Sequence, residues 1–282
     1  MLIQWFPGHM AKALREMEKS IAKVDSVIYM LDARAPFSCI NPQFDNLIKN
    51  RPVLYVLNKC DLVKPSDLKE WEDYFAGKGM SVVNSNSLNG KSASRIVAAL
   101  RDVNSEKLIR AQNKGFNYSL KAMVIGMPNT GKSTLINSLA KDKKAITGDK
   151  PGVTRSEQWI RLQDGIMLLD TPGTLCHSIA VERTALNLAY LGSIRDAVLD
   201  VEGLALKFVE YCISSQKGAL NKRYNVDEND LPLVVYERIA KARGYLLKGG
   251  ETDYSRTAAT ILDDFRKGRL GQLILEKPND KD

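Results

Sequence analysis

Gly126-Met127-Pro128-Asn129-Thr130-Gly131-Lys132-Ser133 lies between an apolar run, Ala122-Met123-Val124-Ile125, and a helical pattern, Thr134-Leu135-Ile136-Asn137-Ser138-Leu139. Glycines in a turn that leaves a strand and enters a helix let successive backbone N–H groups face one phosphate. Lys132 neutralises the β and γ oxygens of a bound polyphosphate and is a candidate catalytic residue; the Ser133 hydroxyl is a magnesium ligand. Asn129, Thr130, Gly131 and Thr134 complete the expected phosphate contacts. A strand–loop–helix unit of this kind implies an α/β sheet covered by helices.

Short β-rich runs alternate with helical patterns on both sides of this stretch: 26–31, 53–57, 80–83 and 166–169. Such alternation predicts a parallel sheet. Further along, Ile194, Ala197, Val198, Val201, Leu204, Ala205, Phe208 and Val209 recur at helical spacing, and Gly244 and Gly268 stand where helices should stop. A final helix is predicted from about Asp253 to Lys267, with Ala258, Ile261, Leu262 and Phe265 inward. The polar stretch 84–94 reads as a loop within a domain, and 174–180 as a boundary. The expected organisation is a nucleotide-binding α/β domain over 1–177 and a smaller all-α domain over 178–282.

Composition narrows the function classes. The 282 residues are 44% apolar and 26% charged, an ordinary globular balance. Four cysteines without a CxxC pair argue against a disulfide framework or a zinc ribbon and for a reducing compartment. With no apolar run of spanning length and no signal-peptide order at residues 1–7, the expected location is the cytoplasm. Residues 178–282 hold 16 basic and 16 acidic side chains, so the whole formal charge of +8 falls on 1–177. That surplus favours a polyanionic partner such as RNA or acidic lipid; the alternative is a solvated basic face.

Asn58-Lys59-Cys60-Asp61 ends the run 53–57. A carboxylate at Asp61 accepts from both N1–H and the 2-amino group of guanine, whereas adenine has no such amino group and a lone pair at N1. Asn58 supports the base edge, the Lys59 stem lies across the ring, and Ser85-Asn86-Ser87 backs the base from the other side. Asp170-Thr171-Pro172-Gly173 follows the run 166–169; there Asp170 holds magnesium through water and the Gly173 N–H meets the γ-phosphate. Thr154, in Pro151-Gly152-Val153-Thr154-Arg155, is the candidate for the second hydroxyl on magnesium. Together these residues predict GTP as substrate and Mg2+ as cofactor.

The order of the motifs is unusual, because Asn58 precedes the phosphate loop by 68 positions, whereas most small GTPases have the loop first. The predicted fold is therefore a circularly permuted P-loop GTPase domain, which keeps the same spatial neighbours when the cut falls in a surface connection. One consequence is that the segment after Asp170-Thr171-Pro172-Gly173 leads straight into the helical domain, so hydrolysis can reposition residues 178–282.

The permuted order, the opening Trp5-Phe6-Pro7-Gly8-His9-Met10, the phosphate loop through Thr134, Gly249-Gly250 and Asp263-Asp264-Phe265-Arg266 closely resemble the ribosome biogenesis GTPase A family, also called RbgA or YlqF. The resemblance covers nearly the whole chain. It implies a bacterial cytosolic GTPase that helps complete the large (50S) ribosomal subunit, bound to rRNA and stimulated by the particle. Separately, no membrane or DNA partner and a monomeric state are expected. GTPases often place a water-orienting Gln after the Asp-x-x-Gly turn, and this family an apolar residue; this chain has Thr174. His9 is the candidate water-orienting residue, the alternative being a helix cap or RNA contact; His177 reads as an exposed linker residue. In resembling GTPases that lack the Gln, an Asn at the position of Asn129 helps hold K+ between phosphates; the alternative is a bond within the loop. Trp5, Phe6, Lys12, Arg15, Lys19 and Lys23, with Lys141, Lys143, Lys144 and Lys150, are candidate RNA contacts, with packing or solvation as alternatives. Three other functions stay open: a nucleotide-gated RNA-binding scaffold with negligible turnover, a GTPase for another RNA–protein particle, and a disfavoured membrane-recruited signalling GTPase.

Overall fold

The structure, a computed structural model, describes residues 17–87, 91–141, 158–162, 165–170 and 181–280. Its described residues form two compact units, one of residues up to 182 together with 274–280, the other of residues 183–273. The segment from Ile274 onward thus belongs with the first unit, not with the helices that precede it. Its apolar residues Ile274 and Leu275 are buried there, which the assignment of 178–282 to one helical domain did not anticipate.

The first unit is built on six strands in the order β3-β2-β1-β4-β6-β5: β1 (Ser26–Asp32), β2 (Val53–Asn58), β3 (Ser81–Ser85), β4 (Leu120–Gly126), β5 (Gln158–Arg161) and β6 (Ile166–Asp170). All neighbours are parallel except β5 and β6. Continuous burial along β1 is what a strand covered on both faces requires. Between the strands run α1 (Pro42–Ile48), α2 (Pro65–Gly77), α3 (Lys91–Asp102), α4 (Ser105–Asn113) and α5 (Lys132–Lys141). One core layer joins Ile28, Met30, Leu54 and Val56 to Ile96, Leu100 and Leu135. Elsewhere in this unit Tyr29 stacks on Tyr55 at 5.6 Å, and Phe75 lies 5.4 Å beyond it.

Three local expectations are corrected in this unit. The third strand begins after Met80, which is 37% exposed, and extends to Ser85. Residues 91–94 open α3 and are not part of a loop. The edge strand β5 was not predicted, because only Trp159 and Ile160 are apolar in its four residues.

The second unit is helical: α6 (Glu182–Tyr190, entered from the first unit), α7 (Val201–Ser215), α8 (Ala219–Tyr224), α9 (Pro232–Arg243) and α10 (Tyr254–Arg266). Phe208 packs against Tyr190 at 5.0 Å and Phe265 at 4.7 Å. Ala258, Ile261, Leu262 and Phe265 are buried as predicted, and Gly244 ends α9 in the left-handed region at φ 67°. The periodic run from Ile194 is broken, however. Asp200 caps α7 by accepting from the Gly203 N–H at 3.0 Å, and a capping residue has non-helical dihedrals. Val198 therefore falls before the helix and is 52% exposed. No helix among the described residues is long and apolar enough to cross a membrane.

Candidate functional site

Parallel strands deliver their following loops to one end of the sheet, where α/β folds gather functional groups. The ends of β1, β2, β3, β4 and β6 here carry Asp32, Asn58, Ser85, Gly126 and Asp170. Register sets them side by side: Asp32 pairs with Asn58, Asn58 with Ser85, and Met30 with Gly126.

The phosphate loop curls over this end. Gly126 has φ 149°, and a Cβ there would collide with the Met30 carbonyl. Gly131, at φ 98°, leaves no room for a Cβ beside the Asn58 amide nitrogen. Between them Asn129 adopts the left-handed region at φ 62°. Thr130 donates its hydroxyl to the Met127 carbonyl at 2.9 Å. Lys132 is buried, and its ammonium donates to the carbonyls of Gly126 at 2.9 Å and Met127 at 2.7 Å. Burial pulls its pKa down to about 8, against a raising influence of the Asp170 carboxylate. Ser133 is half-buried in the first turn of α5, Thr134 is exposed, and Asp170 is buried at the end of β6.

Asn58 and Lys59 lock the second motif onto this loop from about 70 residues away in sequence. The Asn58 Nδ2 donates to the Thr130 carbonyl at 2.8 Å, while its Oδ1 accepts from the Ser87 N–H at 3.1 Å and hydroxyl at 2.7 Å. Lys59, with φ 58°, donates to the Asn129 carbonyl at 2.8 Å. Its turn continues as a short 3-10 segment, Cys60–Leu62, which leaves Cys60 half-buried and Asp61 exposed. Asn86 donates its N–H to the Ser92 hydroxyl at 3.1 Å. Ser85 is fully buried.

One pair of residues at the site lies outside the set that the sequence motifs define. Asp32, 1% exposed, pairs with Lys59 at 2.9 Å and accepts from the Arg34 side chain through Nε at 2.9 Å and Nη2 at 2.8 Å. Burial works to raise its pKa, and the adjacent Arg34 and Lys59 charges overcome this and hold it well below the usual carboxylate range. The only signal in sequence was a charged pair, Asp32-Ala33-Arg34, placed directly after an apolar run.

Of the predicted site, Asn58, Lys59, Ser87, Asn129 and Thr130 are joined by hydrogen bonds, with Gly131 packed against Asn58. His9, Thr154, Gly173, Thr174 and His177 lie outside the described residues, as do Trp5, Phe6, Lys12, Arg15, Lys143, Lys144 and Lys150.

A P-loop closing on an Asn-Lys-x-Asp motif at the end of a parallel sheet defines a GTPase, with its motifs in permuted order. Residues 121–242 match a family described as 50S ribosome-binding GTPase. Ribosome biogenesis GTPase A of Bacillus licheniformis is 38% identical, over 99% of this chain and 100% of that protein. Mitochondrial ribosome-associated GTPase 1 of Mus musculus is 34% identical, over 97% of this chain and 90% of that protein. GNP-bound YlqF from T. maritima superposes with a TM-score of 0.67 at 24% identity, covering 96% of this chain and all of that one. The chain belongs to the ribosome biogenesis GTPase A family.

Proposed function

We propose that this GTPase is an assembly factor for a late step of large (50S) ribosomal subunit biogenesis, which binds rRNA from the cytoplasm and changes its hold on the particle with nucleotide state. The observation that carries the nucleotide half is the pair of hydrogen bonds from Asn58 and Lys59 to the phosphate loop, which joins a guanine-reading motif to a phosphate cradle. The particle half rests on the names of the relatives and on the basic surplus of residues 1–177.

In this reading Asp61, exposed at the rim, accepts from the guanine edge, and Asn58 and Ser85 to Ser87 shape its pocket. Asn129 to Thr134 hold the phosphates, Lys132 faces the developing charge, and Gly173 meets the γ-phosphate. Magnesium suits the oxygen donors Ser133, Thr154 and Asp170; when bound it neutralises phosphate charge. Asp170 is buried and shares its end of the sheet with Lys132, which fits a carboxylate set to face a cation. Asn129 is the residue through which K+ would be held, and His9 the one that orients water. The first unit, residues up to 182 with the segment from Ile274, serves as the nucleotide domain, and the helices of 183–273 as the part that responds to it.

The test is GTP turnover in potassium and in sodium, with and without purified large subunits, for the intact protein and His9→Ala. Stimulation by subunits that needs potassium and collapses in His9→Ala is expected. Nucleotide-dependent subunit binding with unchanged turnover would instead mark a gated scaffold, and neither binding nor stimulation would refute the ribosomal role.

A further inference from the structure

After the helices of the second unit the chain returns to the first as a strap, residues 274–280. The Leu275 N–H donates to the Arg34 carbonyl at 2.8 Å. Glu276, only 6% exposed, accepts from the Ser38 N–H at 2.9 Å through one carboxylate oxygen and from the Ser38 hydroxyl at 2.7 Å through the other. Lys277 reaches Asp67 at 3.2 Å and Glu70 at 3.5 Å on α2. Burying a carboxylate is costly unless its lone pairs are satisfied, so a two-point capture of one serine selects this register of the strap over neighbouring ones.

The loop so held, residues 33–41, begins beside Asp32. A continuous series of contacts follows. Leu275 binds the Arg34 backbone, the Arg34 guanidinium binds Asp32, Asp32 binds Lys59, and Lys59 binds Asn129 in the phosphate loop. Arg34 and Asp32 are each 1% exposed, so neither exchanges its partner for water without the loop moving. Lys59 sits in a left-handed conformation that ordinary residues adopt at a cost, and its ion pair with Asp32 is one of the contacts that hold it there.

We propose that the strap is a positioning element of the nucleotide site: by fixing loop 33–41 it holds Arg34 and Asp32, which in turn orient Lys59, so that guanine-nucleotide retention depends on Glu276. This rests on reading Asn58 to Asp61 as the guanine-binding corner. Glu276 itself touches no substrate.

The experiment is stopped-flow release of a fluorescent GDP analogue from the full chain, with thermal melting recorded alongside. Glu276→Ala is expected to speed release about tenfold, the size of effect a lost charged hydrogen-bond pair supports. Glu276→Gln should stay within about twofold, because its amide oxygen accepts from the Ser38 N–H and its amino group donates to the hydroxyl oxygen. Ser38→Ala, a milder change that keeps the backbone bond, should fall between. In a Lys59→Met background Glu276→Ala should add nothing, since the residue it acts through is gone. Release from Glu276→Ala or Ser38→Ala at the unaltered rate would overturn the proposal and leave the strap as a fold staple. Equal acceleration with and without Lys59 would also overturn it, by removing the route. The guanine reading is tested apart, by Asp61→Asn, which should exchange GDP for XDP preference; if it does not, that reading fails whatever the strap does.

Discussion

Each unit buries one carboxylate to 1% exposure and surrounds it with cations, but the two clusters have different reach. In the helical unit Asp264 of α10 takes Arg223 at 2.8 Å, Arg269 at 3.0 Å and the Tyr224 hydroxyl at 3.1 Å, with Arg243 at 3.6 Å. Its partners come from α8, α9 and the exit of α10, so the cluster ties helices together. In the nucleotide-binding unit Asp32 sits at a strand end, and its partner Lys59 also bonds to the phosphate loop. The same physics thus staples a fold in one place and sets a site in the other, and what separates them is whether a cation has a second partner in the site. Both carboxylates are held below their ordinary range: burial pushes each up, and the bonded cations more than compensate. Each therefore contributes stability that is fully present above about pH 4 and is lost as the pH falls through its lowered native value.

The sharpest way to break this comparison is Asp264→Ala. Removing the buried carboxylate loses its charged hydrogen bonds while Arg223, Arg243 and Arg269 stay partly solvated, so it should cost about 2–3 kcal/mol of stability in denaturant unfolding. GDP affinity of the protein that remains folded should be unchanged. Asp32→Ala should also cost stability, since it strands the buried Arg34 guanidinium, but it should in addition weaken GDP binding about a hundredfold in titration calorimetry as Lys59 loses its charged partner. If both variants lose stability alone, the distinction fails.

Next in size is a pH effect at Lys132. Its pKa of about 8 means the free side chain sheds its proton above that pH, and phosphate oxygens favour the charged form. GTP affinity should fall as pH rises from 8 to 9, by up to about tenfold, with proton uptake visible as a buffer-dependent binding heat. Lys132→Met should abolish the dependence. The smallest effect belongs to Asp200→Ala, which removes the cap of α7 and should cost about 1 kcal/mol by thermal unfolding, without moving nucleotide affinity.

Much of this was legible in the sequence, and for definable reasons. Parallel strands buried on both faces leave continuous apolar runs, so β1, β2, β4 and β6 stand out. The phosphate loop and Asn58 to Asp61 are read from chemistry that admits few substitutes. What stayed hidden depends on long-range partners. Asp32-Ala33-Arg34 looks like any polar exit from a strand until register brings Lys59 beside it. The short apolar run Leu273-Ile274-Leu275 has the composition of a helical core, and nothing local says which unit will bury its end. The Asp200 cap is hidden in the sequence because apolar residues on both sides continue a helical period across it.

The strap also has a consequence for how the protein is made. Ser38 and Glu276 are 238 residues apart, and all of 183–273 is synthesised between them. Domains tend to fold in order of emergence from the ribosome. The strands β1 to β6 are complete long before Glu276 exists, so the nucleotide-binding unit spends most of its own translation without its closing contact. A nascent chain halted before residue 276 would already carry both nucleotide motifs, and the nucleotide it held would exchange faster than in the finished protein.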